Sequence, residues 1–307
     1  MKVLYDLPDE LVELWKANPT IGRVAIQEGF GCGEKAARFY ARLMKSGKIV
    51  ETDYVKNKPE PGHTKKAGLL SDVHAPYQDQ KALDAAVNYL LKIGVDMVVF
   101  TGDGVDNYKI SKWNKNPLTP TFFKEVDSAR CIIQNVVDAF PSGTEFIWLE
   151  GNHEIRLRSY IWSSAPELAG FECLSVDSLF GLQKMGFQYV SNVQIIQNGL
   201  IPFHLGNCFV LHGHEVALSG GAVNFAKLHY DKQPVNQVFG HHHQEQKHTM
   251  RKMNKKIDGS WALGCLCNLF PDYRPMNPWS HGCGIIELDC EDMFAVTAKT
   301  IDNGRIL

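Results

Sequence analysis

Five short clusters in a 307-residue chain bring together residue types that can hold metal ions: Asp72-Val73-His74, Gly102-Asp103-Gly104-Val105-Asp106, Gly151-Asn152-His153-Glu154, His212-Gly213-His214 and Gly240-His241-His242-His243. Each offers a carboxylate, an amide or an imidazole. None offers the thiolate that a structural zinc site commonly uses. The set has enough hard oxygen and nitrogen donors for two divalent cations, and a close pair of cations suits phosphoryl transfer. Asp103 follows a glycine, which lets the backbone turn sharply. A carboxylate that serves two metals must be reachable from both sides, and Asp103 is the natural bridge. Asn152 adds a neutral carbonyl oxygen, and His212, His241 and His243 add imidazoles. Asp72 and His74 alternate out of a strand end, so both are expected to point to one side. Such a mixed set accepts manganese, iron, zinc, nickel or cobalt. Manganese is the first expectation, with magnesium a further candidate.

Most of the clusters follow a run that reads as a β-strand. Residues 67–70 lead into Asp72. Residues 95–100 form a nearly unbroken apolar run, as a buried strand does, and end near Asp103. Residues 145–149 end near Asn152. Helices are expected between them at 80–92 and 125–140. This βαβαβ start puts the chemical residues at the carboxyl ends of successive strands, the ligand-binding edge of an open α/β sheet. Residues 208–211 and 237–239 repeat the pattern ahead of His212 and His241. Short strand-like runs at 261–267, 284–288 and 294–298 predict a second, more antiparallel half.

Residues 1–55 read differently. Two short amphipathic helices, a glycine turn at 29–33, a third helix at 34–45 and a short β run resemble a helix-turn-helix or winged-helix module. Its third helix would expose Lys35, Arg38, Arg42 and Lys45, so residues 20–50 are candidates for DNA or RNA contact. The alternative is a docking or oligomerisation module whose basic residues are only a solvated face. Residues 1–66 carry twelve Lys/Arg against nine Asp/Glu, a mildly basic balance that fits either. Residues 56–65 are polar and proline-bearing, as a linker is. The expected organisation is a module at 1–55, a linker at 56–65 and a catalytic domain at 66–307.

A net charge of −2 gives no sign of a nucleic-acid coat or an acidic tail. No apolar stretch approaches the roughly 20 residues of a membrane span. The N-terminus turns acidic at once and lacks the apolar core of a secretory signal, so a cytoplasmic location is expected. The eight cysteines are then expected as reduced core residues. Cys265, Cys267 and Cys283 also admit a metal clip, but alternating strand positions explain their spacing better.

The order D-x-H, G-D-x-x-D, G-N-H-E, H-G-H and G-H-x-H resembles the calcineurin-like metallophosphoesterase superfamily over about residues 66–300. The resemblance implies a two-sheet α/β–β/α sandwich behind the small N-terminal helical domain. It implies a first metal on Asp72, His74, Asp103 and His243, and a second on Asp103, Asn152, His212 and His241. A bridging hydroxide would attack phosphorus in line. His153 would protonate the leaving oxygen or stabilise phosphoryl charge. Asp106 would orient His153 by a hydrogen bond and raise its pKa. His214 is an alternative to His212, which the motif favours. His242 is expected to point away from the metals, His229 and His248 to lie on polar surfaces, and Glu154 to start a helix or support the ligands.

The ester is left open. Protein phosphatases of the superfamily carry arginine directly after the second motif's last aspartate, where this chain has Asn107, so a phosphoprotein substrate is disfavoured. The segment G-N-H-E-x-R-L-x-x-Y, with Gly220-Gly221, is more similar to phosphoesterases of phage and prophage genomes, which would place the chain in a host cytoplasm. Arg156 and Arg158 are either bidentate phosphate donors or ordinary surface charges. Tyr108, Lys112 and Trp113 interleave rings and charges that could stack a base and hold phosphates. The expected activity is therefore a phosphodiesterase on nucleic acid or nucleotides. The alternatives are a phosphomonoesterase on small phosphates and a nucleic-acid-binding regulator with an inactive domain. Oligomeric state is left open.

Overall fold

The computed structural model describes residues 64–197, 202–218, 223–252, 257–289 and 293–307. The helical module expected at 1–55, most of the expected linker and the Gly220-Gly221 pair lie outside the described residues. Lys65, expected in the linker, instead begins the first strand.

In chain order the elements are β1 (Lys65–Leu70), α1 (Gln80–Ile93), β2 (Met97–Phe100), α2 (Phe122–Ala139), β3 (Glu145–Leu149), α3 (Asn152–Ser164), α4 (Val176–Phe180) and β4 (Phe187–Val190). They continue with β5 (His204–Leu205), β6 (Cys208–Leu211), α5 (Phe225–Lys232), β7 (Gln237–Phe239), β8 (Gln246–Arg251) and β9 (Ile257–Ala262). The chain ends with β10 (His281–Leu288), β11 (Phe294–Asp302) and β12 (Arg305–Ile306). A short helix at Asn192–Gln197 belongs to a separate compact unit, whose other members lie largely outside the described residues.

Seven strands form one mixed sheet in the order β12-β11-β10-β1-β2-β3-β4, and five form a second in the order β5-β6-β7-β9-β8. β1 to β4 run parallel, while β10, β11 and β12 extend the same sheet antiparallel. The expected antiparallel half is thus divided. Its C-terminal strands join the first sheet, and the centre of the second sheet, β6-β7-β9, is parallel. The strand expected at 261–267 runs instead from Ile257 to Ala262, sharing only Trp261 and Ala262 with the expectation; beyond it Gly264 lies against the backbone of Ser280, His281 and Gly282, where no Cβ fits.

Local sequence explains the elements that matter for the site. In β2 all four residues are buried, so its apolar run covers both faces. α1 starts where the Asp79 side chain accepts the Ala82 N–H and stops at Gly94, in the left-handed region at φ 70°. Its buried face is Ala82, Leu83, Ala86, Val87 and Leu90. Leu90 seats on Gly68 of β1, where an added Cβ would lie 2.6 Å from it. A fully buried leucine of this kind contributes about 1.5–3 kcal/mol. Trp148 of β3 stacks on Phe100 of β2 at 4.8 Å, and Phe187 of β4 meets both rings edge-on at 5.3 Å. These rings pin the strands whose carboxyl ends carry Asp103 and Asn152.

Candidate active site

The loops after β1, β2 and β3 meet those after β6 and β7. Past the strand ends the backbone keeps pairing: His74 N–H donates to Asp103 O and Ala75 N–H to Gly104 O, both at 2.9 Å, and Gly240 N–H donates to His212 O at 2.8 Å. Asp72, His74, Asp103, Asn107, His241 and His243 all have φ between 50° and 65°. The left-handed region is unfavourable for residues with a Cβ and persists only where surroundings enforce it. The alternating strand geometry expected for Asp72 and His74 is therefore replaced by two left-handed residues. Their side chains still converge, with His74 Nε2 at 3.8 Å from Asp72 Oδ1.

Glu154 does much of the enforcing. Its carboxylate is fully buried and accepts four backbone N–H groups: Gly151 at 2.8 Å, Asp103 at 3.0 Å, Gly104 at 2.9 Å and Val105 at 3.3 Å. It ties the start of α3 to the turn after β2. Glu215 plays a similar part beyond β6, accepting the His212 and Gly213 N–H groups at 3.1 and 2.6 Å. Gly102, at φ 93°, lies so close to the His212 ring that any Cβ would collide with it.

Asp103 sits at the centre. Its Oδ1 accepts the His153 N–H at 2.7 Å. Its Oδ2 lies 3.2 Å from His212 Nε2, 3.7 Å from His153 Nε2 and 3.9 Å from His74 Nε2. Two groups of ligand-type side chains share it: Asp72, His74 and Asp103 on one side, Asp103, His212 and His241 on the other. His243 Nε2 joins the first at 3.1 Å from Asp72 Oδ1, and Asn152 Oδ1 joins the second at 3.1 Å from His212 Nε2. All seven expected metal-ligand residues are thus brought together. His214 is not among them; it lies against Glu215, 3.6 Å from its carboxylate, whereas His212 is fully buried with Nδ1 on Thr101 O at 2.9 Å.

The donor set fits divalent cations. His74 Nε2 is buried without a hydrogen-bond partner, 3.8 and 3.9 Å from two carboxylate oxygens, spans suited to a cation between them. Burial alone would raise the carboxyls of Asp72 and Asp103. Histidine neighbours, led by His243 for Asp72 and by His153 for Asp103, outweigh it and hold both well below the carboxylate range. In return, burial opposes charge on His212, but Asp103 wins and pushes it up to about 10; Asp72 does the same for His243, to about 9. Without a cation, the charge of two buried carboxylates falls on imidazoles.

The expected catalytic pair, Asp106 and His153, does meet, but through more than the Asp106 carboxylate. The Asp106 carboxylate lies 3.0 Å from His74 Nδ1 and 3.5 Å from His153 Nδ1, and it is the Asp106 carbonyl oxygen that accepts the hydrogen bond from His153 Nδ1–H, at 2.9 Å. Arg156 then donates to His153 Nε2 at 2.7 Å while holding the Asp106 carbonyl at 2.8 Å. These bonds specify a neutral His153 with its proton on Nδ1. Burial, the largest influence, lowers the His153 pKa overall, although Asp106 does push it up by charge and hydrogen bond as expected.

The substrate candidates divide. Arg156 stands beside His153. Arg158 is held by Glu150, at 2.8 Å, with its guanidinium 5.7 Å from the Trp162 ring. Tyr108 begins a short turn whose Tyr108 and Lys109 N–H groups donate to Glu125 at 2.6 and 3.3 Å. Lys112 lies 5.0 Å from the ring of Trp113, which is 65% exposed.

Other histidines correct the expectations. His229 is fully buried rather than at a polar surface. It stacks on Phe239 at 3.7 Å and meets His242 Nε2 at 3.1 Å. His248 is half-buried. His242 does point away from the metal-ligand group, stacked on Phe225 at 4.0 Å. Cys265 and Cys267 are free, and Cys267 Sγ lies 3.7 Å from His243 Nδ1, behind the ligand group. The segment between Cys267 and His281, which brings Trp279 to within 4.2 Å of the His243 ring, was not singled out from sequence. Its prolines interleaved with aromatics were the available signal.

The model of the calcineurin-like phosphoesterase family matches residues 65–265. The Gene 54 protein of Mycobacterium phage L5 is 26% identical over 220 residues, covering 67% of this chain and 81% of that protein. Among solved structures, a dimetal phosphatase from Danio rerio superposes with a TM-score of 0.41 at 14% identity, covering 81% of this chain and 98% of its own. Vacuolar protein sorting 29 from Cryptosporidium parvum gives 0.39 at 12% identity, covering 80% and 95%.

Proposed function

Since the chain belongs to the calcineurin-like phosphoesterase family, a metal-dependent class of ester hydrolases, we propose that it is a dinuclear-metal phosphodiesterase acting on nucleic acid or nucleotides. The observation that carries the two-metal part is the central Asp103, shared by two groups of ligand-type side chains. One metal would be held by Asp72, His74, Asp103 and His243, the other by Asp103, Asn152, His212 and His241. Bound there, divalent cations, manganese first among them, would supply Lewis-acid charge and lower the pKa of a water.

The chain's own residues do the rest. Glu154 and Glu215 hold the ligand-bearing turns rigid. Arg156, whose guanidinium spans His153 and the Asp106 carbonyl, presents fixed donors for a phosphoryl oxygen. A substrate oxygen that displaces Arg156 from His153 Nε2 frees that nitrogen to take up a proton, making the ring an imidazolium that can pass it to the leaving oxygen. The Asp106 carbonyl keeps the ring in place throughout.

Support for a nucleic-acid or nucleotide diester comes from the exposed Lys112 and Trp113 beside the turn at Tyr108, while Asn107 in the place of an arginine speaks only against a phosphoprotein. The N-terminal module would then present the strand, and the likeness to a phage protein suggests action in a host cytoplasm. A phosphomonoesterase is the second reading, and a regulator with an inactive domain is the third. Manganese-loaded protein assayed on bis- and mono-p-nitrophenyl phosphate, and on single- and double-stranded DNA and RNA, decides among them. Faster turnover of the diester and cleavage of a nucleic acid are expected. Faster monoester turnover selects the second reading, and no turnover with any divalent metal selects the third.

A further inference from the structure

Residues 268–280, Asn-Leu-Phe-Pro-Asp-Tyr-Arg-Pro-Met-Asn-Pro-Trp-Ser, leave the site and return to it. One end is fixed by the Asn268 N–H on Tyr77 O at 3.0 Å, the other by the Ser280 N–H on His243 O at 2.8 Å. Asn277 staples the middle. Its amide donates to Leu269 O at 2.6 Å and Arg274 O at 2.8 Å, and its Oδ1 accepts the Trp279 N–H at 2.9 Å. Pro271, Pro275 and Pro278 restrict the backbone further.

A segment held this firmly nevertheless leaves Phe270, Tyr273 and Met276 exposed by 66%, 73% and 91%. Their rings and thioether contribute little to the core, while the backbone beneath them is kept in one shape. Fixed backbone and bare apolar side chains together describe a contact surface. Its place is beside the chemistry. Trp279 packs edge-on against His243 at 4.2 Å, Arg274 lies 5.8 Å from the Trp279 ring centre, and the Tyr273 ring lies 6.5 Å from Trp279.

We propose that residues 268–280 form a nucleobase-stacking wall beside the phosphoester centre, with Tyr273 as the ring that takes a base and Arg274 as a donor to a neighbouring phosphate. The proposal rests on the phosphodiesterase reading and goes beyond it by naming the group recognised. A flat aromatic group within one nucleotide of a phosphoester is what a nucleotide or single strand presents. Stacking on a tyrosine face is tolerant of sequence because every base has such a face.

The test uses the full chain and two fluorescein-labelled single strands of equal length, one with bases and one abasic. Phosphorothioate linkages keep both from being cleaved during fluorescence anisotropy. The wild-type chain is expected to bind the base-bearing strand about tenfold more tightly than the abasic one. Tyr273→Ala should abolish that preference and Tyr273→Phe should restore it, all three proteins melting at the same temperature. Equal affinity of the wild type for both strands, or a preference that survives in Tyr273→Ala, overturns the proposal. Binding here needs no turnover. An inactive protein that still prefers bases through Tyr273 therefore tells against the catalytic reading alone.

Discussion

Asp103 and His153 touch through the His153 N–H on Asp103 Oδ1 at 2.7 Å, yet their removal should have opposite signatures. Asp103→Asn deletes charge shared by both ligand groups, so metal analysis should show occupancy lost along with activity. Full occupancy would contradict the bridging role. His153→Ala should keep its metals and lose turnover by about 10²- to 10⁴-fold, the range for a positioned proton-transfer group. Glu154 is the third residue on which the site turns. In Glu154→Gln an amide replaces one carboxylate oxygen and faces backbone N–H groups it cannot accept from. Each buried donor left unpaired costs roughly 1–3 kcal/mol. A lower melting temperature and weaker metal retention are expected together. An unchanged melt would mean that the turns after β2 and β3 hold themselves. Residue identity announced the candidate ligands because carboxylate, amide and imidazole at strand ends have few other uses. Of the four donors of Glu154, Gly151 follows from the local helix-start spacing, as expected, but Asp103, Gly104 and Val105 lie 49 to 51 positions away, and no local pattern encodes that meeting.

At the scale of elements, the turn at Tyr108–Ile110 and helix α2 are joined by Glu125, which accepts the Tyr108 and Lys109 N–H groups. Burial raises its carboxyl from the ordinary 4.5 to about 7. A raised folded pKa means that the folded chain holds a proton the unfolded chain releases. The stabilisation is complete below pH 4.5 and is lost as pH rises to about 7. Denaturant melts between pH 5 and 7.5 should show the wild type losing stability that Glu125→Gln does not lose. Parallel curves would place the pH dependence elsewhere. Helices and strands were legible where composition was strong: the apolar run of β2 is buried on both faces, and β3, β6 and β7 have the bounds expected of them. β9 was not: it spans Ile257–Ala262 where a strand was expected at 261–267, and beyond it Gly264 lies against the backbone of Ser280, His281 and Gly282.

For the whole molecule, all seven ligand candidates, together with His153 and Glu154, lie in the compact unit of residues 57–190 and 203–307. A chain lacking residues 1–63 is therefore expected to hydrolyse bis-p-nitrophenyl phosphate at the full-length rate. It should lose activity on DNA or RNA if the N-terminal module presents the strand. Equal activity on nucleic acid would remove that role from the module. The sequence alone determined the donor types, their order along the chain and the strand ends that carry them, because metal chemistry restricts residue choice and buried strands restrict composition. Only the tertiary structure decided how they meet. It put the Asp106 carboxylate on His74 and its carbonyl on His153, drew Arg158 away to Glu150, buried His229 and brought residues 268–280 beside His243. These join groups from 8 residues apart, for Arg158 and Glu150, to 47, for His153 and Asp106, and in a dry interior such contacts are settled by which donor finds which acceptor, not by the immediate neighbours along the chain.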